Sequence, residues 1–507
     1  MVMIPKPLDL ANLPCRQLQH LQLHGLRVQL NPTDDSPGVL SGRTALRVLV
    51  LEHCTLPCAC EAFAAIAALP QLQQLRFNVT DDKRDDNQMF PQFQHPLKLT
   101  NLSMQLQGYR SAEAEVLHHL SALVNLQHLD LSGCPSTGCP GGCPSQLAQL
   151  TCLRISYEDV EFDVEQQFQH LSCLTALQQL AISCSLQTGL RSIPGIEHLT
   201  QLTSLDLKAH SFDFSTRITH SWACRAALQS LTLQDCVVQP EALAAFTQLR
   251  VLCLGSVKTP GTASLEELLL AVSQLPLLTD VVWGSFDSFE GSQLAAYPSA
   301  AAFTALTAST NLCSLQLHSD AVMTGQFLPA LFQPGPLYPQ LRAIELDFDR
   351  QAGMAITEQQ LHLLCNCCPA VESLVFVPGA SLSCAPATAW DPLLQLSALT
   401  RLGVHYVRSY SGSAAAVSTV AQLTRLKELS MELRLDKHQQ NVPLQLAALT
   451  ALVKLDLKCT GAARSCQLTN KVRGHQEQQP HPMSINHTAV TVVVMQSGTA
   501  KAHAMHT

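Results

Sequence analysis

Aromatic residues are scarce, at 5% of the chain, so any interior must be built from leucine, alanine and valine. Charged residues are also few, 14% against a usual ~25%. Gln, Ser, Thr and His must therefore keep much of the surface in water. Lysines and arginines are scattered and no run forms a basic arm, while the formal net charge is −8. That balance argues against a nucleic-acid backbone as the main partner. No apolar stretch approaches the ~18 residues of a membrane span. The N-terminal MVMIPKPLDLANLPC lacks the charged start and apolar run of a secretory signal. The expectation is a cytoplasmic monomer without a membrane partner. Its 20 cysteines are then reduced thiols, and the Asn-x-Ser/Thr triplets at Asn78, Asn101 and Asn486 carry no weight.

Motifs that carry chemistry are missing too. There is no GxxxxGK[ST] to cradle phosphate, no HExxH to bind zinc from one helical turn, and no GxSxG nucleophile elbow. Cysteines cluster as Cys54, Cys58 and Cys60, as Cys134, Cys139 and Cys143, and as Cys365, Cys367 and Cys368. Each cluster offers three thiols rather than the four ligands of a structural zinc site. The aspartates at 81, 82, 85 and 86 lack the glycine and glutamate of a calcium loop. No catalytic residue, metal or cofactor is expected.

What is abundant is leucine in one spacing. The segments LRVLVLEHC (46–54), LQHLDLSGC (126–134), LQSLTLQDC (228–236) and LVKLDLKCT (452–460) share the pattern LxxLxL. Seventeen such units start at 18, 46, 72, 99, 126, 150, 177, 202, 228, 249, 278, 312, 341, 371, 399, 426 and 452, at intervals of 21 to 34 residues. A period of this size marks a stacked array. In each unit the last two apolar residues are two apart, the spacing of one face of a strand. No unit can bury that face alone, so neighbours must stack into a shared core. Helical spacing recurs between units, at 60–72, 111–126, 240–249, 264–278 and 357–367, whereas 184–202 reads as shorter and irregular.

These units resemble those of the leucine-rich repeat family, LxxLxLxx(N/C)xL, with ribonuclease-inhibitor-like, cysteine-containing or plant-type features such as LSGCP at 131–135. The resemblance covers about residues 13–460. It implies an α/β solenoid, a curved horseshoe with a parallel β-sheet on the concave face and mixed helices and 3₁₀ turns on the convex face. Residues 1–12 form a lead-in and 461–507 a polar, mostly disordered tail, in which AVTVVVM (489–495) is β-prone and able to dock on the last strand. The family's Asn/Cys position is filled here by Cys54, Cys134 and Cys236, but elsewhere by Val257, Phe286, Gly379 and Arg434.

The resemblance implies a non-catalytic scaffold that holds a protein partner on the concave sheet. Period-2 alternation identifies the outward residues. The candidates are His128, Asp130, Lys208 and Gln234, a mid-array apolar set Val251, Cys253 and Val282 beside Asp280, the histidines His318 and His405, and an acidic group Glu345, Asp347, Glu428 and Glu432. Two alternatives stand beside the scaffold. One is the recognition subunit of a ubiquitin ligase, which needs an F-box ahead of residue 13. The other is a fragment of a plant-type receptor or immune protein. Family analogy adds the cytoskeleton or cilium as an alternative location.

Overall fold

The computed structural model of the chain describes residues 17–26, 28, 30, 40, 42–56, 59–81, 98–105, 120, 123–134, 147–160, 171–186, 193, 195–209, 216–218, 227–234, 236–255, 265–284, 306, 309–319, 331–332, 338–348, 357–377, 387–407, 416–434, 446, 448–460 and 490–492. Two compact units are present, Met1–Ala263 and Ser264–Thr507.

The first unit holds a sheet of parallel strands: β1 (His20–His24), β2 (Val48–Leu56), β3 (Gln74–Asp81), β4 (Asn101–Gln105), β5 (His128–Cys134), β6 (Cys152–Val160), β7 (Gln179–Leu186), β8 (Ser204–Ala209), β10 (Ser230–Gln234) and β12 (Val251–Gly255). Each pairs with the next in this order. Two short strands, β9 (Thr216–Ile218) and β11 (Cys236–Val238), form a separate parallel pair. The second unit repeats the arrangement with β13 (Asp280–Trp283), β14 (Ser314–Ser319), β15 (Ala343–Phe348), β16 (Ser373–Phe376), β17 (Arg401–Val407), β18 (Glu428–Arg434) and β19 (Lys454–Thr460). The β-prone run of the tail supplies β20 (Val490–Val492), antiparallel to β19. Residues 461–489 and 493–507 lie outside the described residues.

Every LxxLxL unit is followed by a strand that begins two residues after its first apolar residue. The physical reason lies in two adjoining turns of chain. Leu126 N–H donates to Leu123 O at 2.9 Å, closing a three-residue turn with both leucines buried. Leu150 to Leu147 and Leu177 to Leu174 repeat it at 2.9 and 3.0 Å. The next two N–H groups then turn together onto one carbonyl of the preceding repeat. Gln127 and His128 both donate to Thr100 O, at 2.8 and 2.9 Å. From there the chain is extended and its side chains alternate, Leu129 and Leu131 inward and His128 and Asp130 outward. Spacing three is thus the turn and spacing two is the strand.

Threonines reinforce the step between repeats. The hydroxyls of Thr100, Thr151, Thr203 and Thr400 each donate to a main-chain carbonyl of the repeat before, at 3.1–3.2 Å. The interior is a leucine column: Leu75, Leu102, Leu129, Leu153, Leu180, Leu205, Leu231 and Leu252 sit in register and are almost wholly excluded from water. Burying one such side chain is worth about 1.5–3 kcal/mol. At the terminal strands the column is incomplete. Leu18 and Leu21 beside β2, and Leu452 and Leu455 in the last repeat, stay partly exposed.

Helices occur where the apolar spacing predicts them, at Ala59–Ala67, Pro240–Leu243, Leu265–Ser273 and Glu358–Cys367. The last carries a capping box: Thr357 accepts from Gln360 N–H, and the Gln360 side chain accepts from Thr357 N–H. Most of 111–126 lies outside the described residues. The irregular segment 184–202 contains a 3₁₀ turn, Ile196–His198. A longer 3₁₀ stretch, Ala387–Gln395, was not expected from spacing; Pro392 inside it blocks a regular α-helix.

The cysteine position behaves as the repeat pattern requires. Cys54 is fully buried, with its thiol 3.5 Å from Leu23 O in the preceding repeat. Cys236, also buried, donates to Gln234 O at 3.2 Å. The side chains of Cys134 and Arg434, and residues 257, 286 and 379, lie outside the described ones.

Candidate functional site on the sheet face

Because the strands are parallel and in register, outward residues of successive repeats fall into straight rows. In the first unit the middle row runs Gln22, Val50, Arg76, Ser103, Asp130, Arg154, Ala181, Asp206, Thr232, Cys253. On one side lies the row that contains His128, Cys152, Gln179, Ser204, Ser230 and Val251. On the other lie Ser156, Ser183, Lys208, Gln234 and Gly255.

A hollow of about 440 Å³ opens on this face over strands β5 to β10. Its geometry follows from one small side chain. Ala181 sits mid-row between Arg154 and Asp206, with Gln179 and Ser183 two residues away on its own strand. Ser156 and Lys208, and Ser204 opposite, complete the rim. A methyl group between row neighbours with four (Asp206) and seven (Arg154) side-chain heavy atoms leaves the space.

Two contacts fix the charges at the rim. Lys208 Nζ lies 3.2 Å from Asp206 Oδ2. The other Asp206 oxygen, Oδ1, is covered and has no hydrogen-bond partner among the described residues. Asp130, beyond Arg154, accepts from the Ser103 hydroxyl at 3.4 Å. Arg154 is exposed, and no described carboxylate lies within ion-pair distance of it. Burial pushes the Cys152 thiol above its ordinary range, with Arg154 beside it opposing the shift.

Of the sequence candidates, Asp130 and Lys208 line this hollow. His128 and Gln234 lie on the same face in flanking rows. Val251 and Cys253 are half-buried on β12 in the first unit, whereas Asp280 and Val282 are half-buried on β13 in the second. Burial raises the Cys253 thiol pKa. Spacing alone missed Ala181, Ser156 and Ser204. Aligning the repeats on their first leucine places all three in outward columns. Small residues are easily passed over when charged or apolar ones are sought.

In the second unit the acidic candidates are not isolated. Asp347 Oδ2 is 3.0 Å from His318 Nδ1 across β14 and β15. This bond raises the His318 pKa, with Glu345 adding to the effect and partial burial opposing it. Glu428 Oε2 is 3.5 Å from Arg401 Nε on β17. Glu432 is half-buried on β18. His405 lies in β17, with its side chain outside the described ones.

Among the described residues no group of three or more His, Cys, Asp or Glu could hold a metal ion. Cys365, Cys367 and Cys368 are buried; burial pushes the Cys365 thiol up to about 12 and raises the Cys368 thiol as well. The loop with Cys139 and Cys143, and Asp82, Asp85 and Asp86, lie outside the described residues. No described helix is long and apolar enough to cross a membrane.

No protein-family model and no curated protein matches the sequence. Solved structures do match. The TLR13–ssRNA13 complex is similar over 87% of this chain and 67% of that one, at 16% identity and a TM-score of 0.50. An internalin, InlF, of Listeria monocytogenes is similar over 64% of this chain and 86% of its own, at 15% identity and a TM-score of 0.39. The plant peptide hormone receptor RGFR1, in complex with RGF2, is similar over 84% and 65%, at 16% and 0.35. Parallel, unclosed sheets, a strand placed by each LxxLxL unit and a fold similar to that of TLR13 give the chain the fold of a leucine-rich repeat solenoid.

Proposed function

We propose that this chain is a protein-binding scaffold that holds a protein partner against the outward side of its sheet. The observation that carries the reading is the hollow over Ala181, walled by charged and polar side chains on strands locked in register. A rigid sheet presents such groups with little ordering cost on binding. Asp130, Lys208, His128 and Gln234 belong to this surface. On the second unit His318, His405, Glu345, Asp347, Glu428 and Glu432, with Asp280 and Val282, form candidate contacts of the same kind. Val251 and Cys253 extend the first surface. A mixed-charge face within an acidic chain favours a protein over a polyanion.

The test is partner capture followed by measurement with the purified pair. Reversing charge at Asp130 and Lys208 together is expected to weaken binding at least ~10-fold. Leu270→Ser, at a side chain exposed on the Leu265–Ser273 helix, is expected to leave it unchanged. The reverse pattern would reject the sheet face as the binding surface.

A further inference from the structure

The hollow's charge arrangement specifies what enters it, and this inference rests on the protein-binding reading above. Ala181 is the centre of a three-by-three grid of outward positions on β6, β7 and β8. Around it stand Arg154, Asp206, Gln179, Ser183, Ser204, Ser156 and Lys208, with Cys152 at the remaining corner, buried. The outer two strands are two interstrand spacings apart, about 10 Å. Long side chains on them therefore reach over the alanine.

The grid holds one carboxylate, and it is already engaged. Asp206 gives Oδ2 to Lys208, while its Oδ1 is turned out of solvent. Its negative charge is balanced by Lys208 within the grid. Arg154 is exposed, with no described carboxylate at ion-pair distance. The hollow it borders is lined also by hydroxyls and an amide, Ser156, Ser183, Ser204 and Gln179, and the Cys152 thiol lies beside Arg154. A guanidinium among neutral donors matches a planar anion that accepts two parallel bonds.

We propose that the hollow over Ala181 receives one carboxylate side chain, an aspartate or glutamate of the protein partner, held by Arg154 with the surrounding hydroxyls and the Gln179 amide as further donors. Asp130 lies one strand beyond Arg154 in the same row. It repels a second anion and favours a basic residue next to the acidic one. A phosphodiester chain is disfavoured for the same reason. Its phosphates would need a row of cations, and this row reads Asp130, Arg154, Ala181, Asp206.

The probe is a phage-displayed library of random twelve-residue peptides, selected on the full-length protein. Enrichment of peptides with Asp or Glu at one fixed position is expected. Changing that residue to Asn or Gln in a synthetic copy should weaken binding roughly 10- to 100-fold, the value of a charge-assisted pair. Arg154→Gln, at an exposed position, should abolish the acidic preference without changing the circular dichroism spectrum. Ala181→Leu fills the hollow while leaving every charge in place, and should weaken the same peptides. The inference is overturned if no peptide is enriched, if the enriched peptides share no acidic position, or if Arg154→Gln keeps the acidic preference. A random single-stranded oligonucleotide that binds the wild type more tightly than the peptides and fails to bind Arg154→Gln would also overturn it, in favour of phosphate. Peptides without an acidic position that still depend on Asp130 and Lys208 would defeat this inference and leave the protein-binding reading intact.

Discussion

Truncating Leu231 to alanine tests whether the strands share one core. Leu231 is fully buried on β10, in register with Leu205 on β8 and Leu252 on β12. Leu21, in the same column of the pattern, is partly exposed on β1, which pairs with β2 alone among the described strands. Removing a fully buried leucine side chain forfeits its transfer energy and leaves a cavity between two neighbours, about 3 kcal/mol in all. Leu21→Ala removes a side chain already partly exposed, with one described strand neighbour, and should cost about 1 kcal/mol. In a stacked array stability is a sum of repeat and nearest-neighbour terms. Native-state hydrogen exchange reads it locally, without assuming two-state unfolding of a chain with two units. For Leu231→Ala the amides of β8, β10 and β12 should exchange about a hundred-fold faster. For Leu21→Ala those of β1 and β2 should exchange roughly five-fold faster. Equal effects at the two sites, or acceleration confined to β10 while β8 and β12 keep full protection, would refute the shared column.

NMR titration of His318 should give a pKa above the ordinary ~6.5, and Asp347→Asn should lower it, since the bond to Asp347 is the main cause of the shift. The raised value means that the pairing stabilises fully below pH ~6.5 and that this contribution is lost as pH rises through the folded pKa. Thiol alkylation of the native protein with peptide mapping should label the exposed Cys173 well before Cys365, Cys367 and Cys368, which become reactive on unfolding. Equal labelling rates would contradict the burial of that trio. Thr357→Ala should cost about 1 kcal/mol by removing the cap of the Glu358–Cys367 helix, read as faster exchange of its first-turn amides.

The strands were legible because in most described repeats one residue does two jobs. Leu126 closes a turn with Leu123 and sets the phase of the strand that follows, so finding the leucine finds the strand. The outward residues followed from alternation. Their groupings did not, because a row draws one residue from each of several segments some 25 residues apart. The hollow depends on Ala181 lying between Arg154 and Asp206, which no single repeat reveals. The pairing of Asp347 with His318, and of Glu428 with Arg401, was equally invisible. In sequence the acidic candidates stood as a group; in space each of these two faces a cation or a histidine. The 3₁₀ stretch at Ala387–Gln395 was lost because Trp390 and Leu393 fit neither period two nor a full helical stripe.

Strand phase is set by the leucine at each turn and by the carbonyl that receives two N–H groups, not by the length of the chain between turns. Connections of very different length therefore deliver neighbouring strands to the same alignment. Growth or shrinkage of a connecting segment leaves the rows of outward side chains undisturbed. A single residue added inside a strand would send every later side chain of that strand to the opposite face. Evolution can thus rewrite the outward rows one position at a time and resize the connections independently.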